Sequence, residues 1–245
     1  MSLLRLLLVL LTALLAACAG TTTSQIQATD GAFVPSMRVA IDLGGDRAVP
    51  HSEVHAGHAI ELGIAGARGE DMQTLNAGDL PVRFGGQTFN SPQELHHEFR
   101  FGYAEALYRY RWLWGGQGNF GLELVGGLGH AGLDLKVSSP TQSAREILGN
   151  AGLVFGGGFV GRLSSALSLQ ARGSLFGSGS ADGVTGVTRY DLFLAHTLGS
   201  HAALRAGYSS WTVRSGREAN DTSISGKSPI TIRFAGPALG LELMF

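Results

Sequence analysis

The sequence predicts an all-β chain folded as an antiparallel barrel, and three observations lead there. Apolar residues recur with period two along almost the whole chain beyond residue 36, the mark of strands rather than helices. Short turns alternate with longer polar connectors. Glycine supplies 37 of 245 residues, roughly twice its usual share. These glycines have no three-residue period, and most sit inside alternating segments, so neither collagen nor low complexity accounts for them.

Taken in order, residues 1–17 carry one basic residue, Arg5, an apolar stretch from Leu6 to Leu11, and then small residues. This reads as a cleaved N-terminal signal helix, too short to be a spanning segment. Leu15-Ala16-Ala17-Cys18 resembles the lipobox of bacterial lipoproteins, and that resemblance implies lipidation of Cys18. The other reading is an ordinary secretory signal cut near Ala17 or Ala19. In lipoproteins an acidic residue after the cysteine holds the chain at the inner membrane; Ala19 stands there, which by the same resemblance implies the outer membrane. Cys18 is the one cysteine, so no internal disulfide forms. Residues 18–35, rich in Thr, Ser, Ala and Gln, read as a flexible tether, and 36–245 as the barrel.

Strands are expected at about 58–70, 95–113, 118–137, 147–163, 167–175, 187–199, 201–213 and 229–245. The clearest is Leu167 to Leu175, with Leu167, Leu169, Ala171, Gly173 and Leu175 on one face and Ser168, Gln170, Arg172 and Ser174 on the other. Tight turns at 114–119, 163–166 and 199–202 alternate with long connectors at 138–146, 177–186 and 214–228. That is the layout of a transmembrane β-barrel with short periplasmic turns and long extracellular loops. Met37-Arg-Val-Ala-Ile-Asp-Leu43 also alternates, which makes nine strands where such barrels have even counts. Eight strands are therefore expected, or ten if residues 37–46 and 80–89 also cross; Pro81 and Gly85-Gly86 weaken the second crossing, and Val82 to Phe89 reads as a small hairpin in a loop.

Aromatic placement points to a membrane interface: Tyr108, Tyr110, Trp112 and Trp114 share one parity beside a tight turn, with Phe120 just beyond. The polar faces gather Glu61, Glu105, Glu123, Asp191 and Glu242 with Arg109, Arg111, Arg162, Arg172, Arg189, Arg205 and Arg233. An arginine on a lipid-facing side would cost about 2–4 kcal/mol near the bilayer centre, so these residues are expected to point inward, pair and plug the lumen. Gly152, Gly156 and Gly158 would make room for them. Apolar parity changes near Gly236-Pro237, which predicts a β-bulge there, and similar slips are suggested near Gly102 and between Gly129 and Gly132.

Residues 238–245, Ala-Leu-Gly-Leu-Glu-Leu-Met-Phe, resemble the C-terminal assembly signal of outer-membrane barrels: a terminal Phe245, apolar Leu243 two before it and Gly240 five before it. In pattern the chain is similar to the small outer-membrane barrels of the OmpA-, OmpX- and OmpW-like group. The lipobox departs from that group, whose members mostly carry a plain secretory signal. The resemblance implies a Gram-negative cell envelope, a location in the cell outer membrane, and as partners outer-membrane lipids and the barrel-assembly machinery acting on the last strand. A lipocalin-like soluble barrel is the structural alternative, but no Gly-x-Trp lies near the first strand.

No chemistry is legible. The His-x-Ser pair of lipid A deacylases is missing, since His130 is followed by Ala131-Gly132 and His196 by Thr197-Leu198. His51, Glu53, His55 and His58 have spacings that would suit Zn on a helix, but they lie between strand-like segments, where a solvated linker is the simpler reading. His96 and His97 read as strand edge or loop. A formal charge of −1 offers no basic field for nucleic acid. The expected protein is a non-enzymatic outer-membrane β-barrel lipoprotein with a charge-plugged interior and extracellular loops, without cofactor or metal, serving envelope structure or surface interaction. The alternatives are a narrow channel for small or apolar solutes and a lipid-modifying enzyme.

Overall fold

The structure is a computed structural model, and it describes residues 25–27, 34–44, 55–114, 120–180, 183–199, 202–216 and 230–244. The expected signal helix, Cys18 and Phe245 lie outside the described residues. Twelve strands follow one another: β1 (Gln25–Gln27), β2 (Val34–Gly44), β3 (His55–Leu75), β4 (Val82–Phe84), β5 (Gln87–Phe89), β6 (Gln93–Trp114), β7 (Phe120–Ser138), β8 (Ser143–Arg162), β9 (Leu167–Gly177), β10 (Gly183–Thr197), β11 (Ala202–Gly216) and β12 (Ile230–Met244). The long strands fall where period-two alternation put them. β3 has 21 residues and β6 has 22, several times the usual strand length. Their register is unbroken from His55↔Leu113 to Leu75↔Gln93.

From β2 to β12, chain neighbours pair antiparallel, with β4 and β5 set aside as a separate hairpin. That hairpin turns on Gly85 and Gly86, both at positive φ (54° and 78°). Two consecutive positive φ values suit the tight hairpin turn whose twist matches its strands, and glycine adopts them without a Cβ clash.

The barrel expectation is corrected here. Among the described residues nine long strands join the sheet, neither eight nor ten. Residues 34–44 are a full member, whereas 82–89 do not cross and form only the hairpin. With an odd count the first and last strands of an up-and-down sheet point the same way. β2 therefore meets β12 in parallel, from Ala238↔Val34 to Met244↔Ala40, and β1 lies parallel along the earlier part of β12. The hydrogen-bonded ring does not close round one axis, so the sheet is not a barrel. The resemblance to small outer-membrane barrels fails on that point. The roles that rested on it fail with it: the transmembrane outer-membrane barrel of the envelope, the channel, the lipid-modifying enzyme and the outer-membrane location. Among the described residues no helix is long and apolar enough to cross a membrane.

The expected bulges are also absent. β11 and β12 keep one register from Ala202↔Leu243 to Ser215↔Ile230, through Gly236 and Pro237. β6 passes Gly102, and β7 passes Gly129 to Gly132, just as evenly. Register shifts occur instead between Asp42 and Gly44 and between Val184 and Gly186. At the three expected sites the backbone keeps its face, and the filling of the inner side changes instead. At one end the inward residues are aromatic and aliphatic: Phe99, Phe101, Tyr103, Leu133, Leu135, Trp211, Ile232 and Phe234 are buried. At the other end they are charged, and there the apolar residues lie on the outer face.

Candidate functional site

The inner face is the first candidate, because it brings together ionisable side chains from strands far apart in the chain. Inward residues of β2, β3, β6, β7, β9, β10, β11 and β12 supply Arg38, Glu61, Glu105, Glu123, Arg172, Arg189, Asp191, Arg205 and Glu242, all buried. Arg172 is the hub. Its Nη1 donates to Glu61 Oε2 at 2.7 Å and its Nε to Glu123 Oε1 at 2.7 Å. Glu61 also receives Arg109 Nη1, and Arg38 Nε lies 3.7 Å from it. Arg111 Nη2 donates to the other oxygen of Glu123 at 2.8 Å.

A second knot joins Arg189 to Asp191 (2.7 Å) and to Glu105 (3.3 Å). Ser209 Oγ donates to Asp191 Oδ1 at 2.5 Å and receives Trp211 Nε1–H at 2.7 Å. The Arg189 guanidinium lies 4.5 Å from the centroid of the Trp211 ring, and that of Arg205 lies 4.2 Å from the Phe193 ring, so each cation also faces the negative face of an aromatic π-system.

Electrostatics follow from this pairing. Burial alone would raise the Glu61 carboxyl, but Arg38, Arg172 and Arg109 outweigh it and hold the group well below the usual carboxylate range. For Glu123 burial is likewise opposed by Arg172 and Arg111, which bring it down to about 2. Arg205 goes the other way: burial, with Arg38 adding repulsion, takes it down to about 9 despite Glu242. Such a lattice holds strands together; its carboxylates are already committed to guanidinium partners and are poor acids or bases near neutral pH.

Two of the arginines expected inside are exposed. Arg233 occupies the outward parity of β12, whereas Arg162 keeps the inward parity of β8 and is exposed as the last residue of that strand. Of the histidine cluster, His51 and Glu53 lie outside the described residues. The His58 ring is hydrogen-bonded through Nδ1 to the Tyr108 hydroxyl and packs 4.7 Å from the Tyr110 ring. Among the described residues no three His, Cys, Asp or Glu side chains could hold a metal ion. His130 and His196 sit exposed on outward positions, and His97 is buried inside.

The outer face is the second candidate, and period-two reading had foreseen its apolar character. Ile60, Leu62 and Ile64 of β3, Leu122, Leu124 and Leu128 of β7, Leu153 and Phe155 of β8, Leu192 and Leu194 of β10, and Leu239 and Leu241 of β12 are exposed. Beyond this field, on the same face, β6, β7 and β8 carry a polar groove of about 320 Å³ lined by Glu98, Phe99, Arg100, Asp134, Lys136 and Arg145. Its charges pair across strands, Lys136 with Glu98 and Arg145 with Asp134, each at 2.6 Å.

The Ser209–Trp211–Asp191 knot was not anticipated from the sequence. Its signal was present in β11, where apolar Trp211 and Val213 share a parity with Ser209 and Arg205, which marks a strand that changes filling without changing face. No protein-family model, curated protein or solved structure matches this chain.

Proposed function

We propose that this is a non-catalytic association protein, which works by presenting the apolar outer face of its sheet to an apolar partner. One observation carries the reading: large aliphatic and aromatic side chains stand exposed side by side on strand after strand, Leu128 at 63% and Phe155 at 60% among them. Folded proteins rarely leave contiguous apolar fields of this kind uncovered unless something binds there. Acyl chains are the partner chemistry we put first. The field offers few hydrogen-bonding groups with which to read a polypeptide, and a charged, cross-paired rim borders it. A folding factor that grips the last strand would act before β12 acquires β11 on one side and β1 and β2 on the other.

The absence of catalysis rests on the inner lattice. Its carboxylates and guanidinium groups are paired with one another on the inner face, which suits stiffening rather than turnover. The test is flotation of the full chain with phosphatidylcholine vesicles on a density gradient. Wild type is expected to float, and a variant carrying Leu124→Lys, Phe155→Lys and Leu192→Lys to stay at the bottom with an unchanged circular dichroism spectrum. Wild type that remains a monodisperse monomer in plain buffer and ignores the vesicles overturns the reading.

A further inference from the structure

His97 stands apart from every other ionisable side chain of the inner face. It is buried (6% exposed), and among the described residues neither ring nitrogen has a hydrogen-bond partner. Buried imidazoles normally engage at least one nitrogen, so a free pair marks a group that is tolerated only while uncharged.

Its position matters. In register, His97 lies between Asp71 of β3 and Val137 of β7, and Val137 is opposite Ala144 of β8. The β4–β5 hairpin rests on this row. A Cβ built on Gly85 would come 3.0 Å from the Ala144 Cβ. Phe84 and Phe89 pack with Leu75, Leu95, Val137 and Ala144 in one apolar cluster. The hairpin is a lid on the aromatic end of the inner face.

Hydrogen bonds add to this packing. Gln142 Nε2 donates to Thr88 O at 2.8 Å, strapping the lid to the β7–β8 turn. The connector ahead of it is pinned by Asn76 N donating to Asp79 Oδ2 at 2.7 Å and Ser91 Oγ donating to Asp79 O at 2.8 Å. Apart from Asp71 and Glu146 the row beneath it is apolar, so a charge appearing there has few groups to solvate it.

We propose that the β4–β5 hairpin is an acid-released lid, held shut while His97 is uncharged and opened when His97 takes a proton. The charged groups around His97 are compatible with this. Asp71 from β3 lies directly across and favours the protonated form; Glu146 of β8 faces the same inner end one row further in. On its own strand His96 and Glu98 point to the outer face, as do Lys136 of β7 and Arg145 of β8. Burial outweighs Asp71 and holds the imidazole below its ordinary value. The sign then follows: the open state, with a solvated imidazole, binds the proton more tightly, so closure is favoured above about pH 6.5 and weakens as pH falls below it.

The experiment is hydrogen exchange of the Val82–Phe89 amides in the full chain from pH 7.5 to 5.0, corrected for the intrinsic pH dependence of exchange. Wild type is expected to lose up to about tenfold of its protection per unit of pH once the imidazole titrates, while His97→Phe keeps the hairpin protected throughout. Constant wild-type protection, or an equal loss in His97→Phe, overturns the proposal. If His97→Phe does not fold, nuclear magnetic resonance titration of the wild-type imidazole decides: a midpoint at or above 6.5 refutes the lid, and a lower midpoint with hairpin protection falling in step supports it.

Discussion

Arg172 and Glu61 stand 111 residues apart in the chain, on strands with three others between them, yet the guanidinium meets the carboxylate at 2.7 Å. The contact reaches across the inner face, so it forms only when β3, β6, β7, β8 and β9 are all in place and curled. It is a direct reporter of the assembled sheet.

Removing Glu61 should therefore cost more than removing Arg172. Without Glu61, Arg38 loses the carboxylate beside it, and Arg109 is left with Glu242 at 3.7 Å. Without Arg172, Glu61 keeps two arginines and Glu123 keeps Arg111. Breaking a buried pair on one side costs about 3–5 kcal/mol, and Glu61→Gln is expected in that range, with Arg172→Gln lower. Urea unfolding of both variants checks the order.

Acid should loosen the lattice in a defined direction. Glu61 and Glu123 both have folded-state values below the ordinary carboxylate range, Glu123 at about 2. The unfolded chain thus takes up protons first, near pH 4.5, and stability falls from there down through the folded values. Tryptophan fluorescence followed from pH 7 to 2 should show Trp211 becoming exposed in that window, with Glu123→Gln already weakened at pH 7.

Gly158 should not tolerate a side chain. A Cβ there would lie 2.7 Å from Ala171 O and 2.8 Å from Glu123 Oε1, displacing the carboxylate that Arg172 and Arg111 share. Gly158→Ala is expected to cost about 1–3 kcal/mol through overpacking. Gly102→Ala, which meets nothing within 4 Å, serves as the control and should be neutral or slightly stabilising.

Ser209→Ala leaves the Trp211 indole N–H without its acceptor and Asp191 without one donor. A buried group stripped of its partner costs about 1–3 kcal/mol. Thermal unfolding should show that loss, and Ser209→Thr should recover part of it.

Much of the strand pattern was legible, because one face of each strand differs from the other. Leu122, Leu124 and Glu123 alone tell which way β7 faces. Closure was not legible. Whether nine strands form a ring depends on how the sheet coils and on what β2 and β12 do at their shared edge, and alternation within a strand carries no information about that. The inner ion pairs were legible as a set but not as partners: Glu61 and Arg172 share an inward face, yet their meeting depends on curvature. The misplaced bulges have a clear physical source. At Gly236-Pro237 the apolar residues change parity because the inner filling passes from rings to charges, and only the packed interior distinguishes that from a slipped backbone.

That border between rings and charges also acts on pairing. A plain alternating strand that slips by two residues still turns its apolar side the right way, so such errors go unpunished. Here a two-residue slip would draw an arginine toward the ring layer or a phenylalanine toward the carboxylates. The border thus marks a height on each strand, much as a notch fixes a key, and it excludes the even-numbered misalignments that alternation alone would accept.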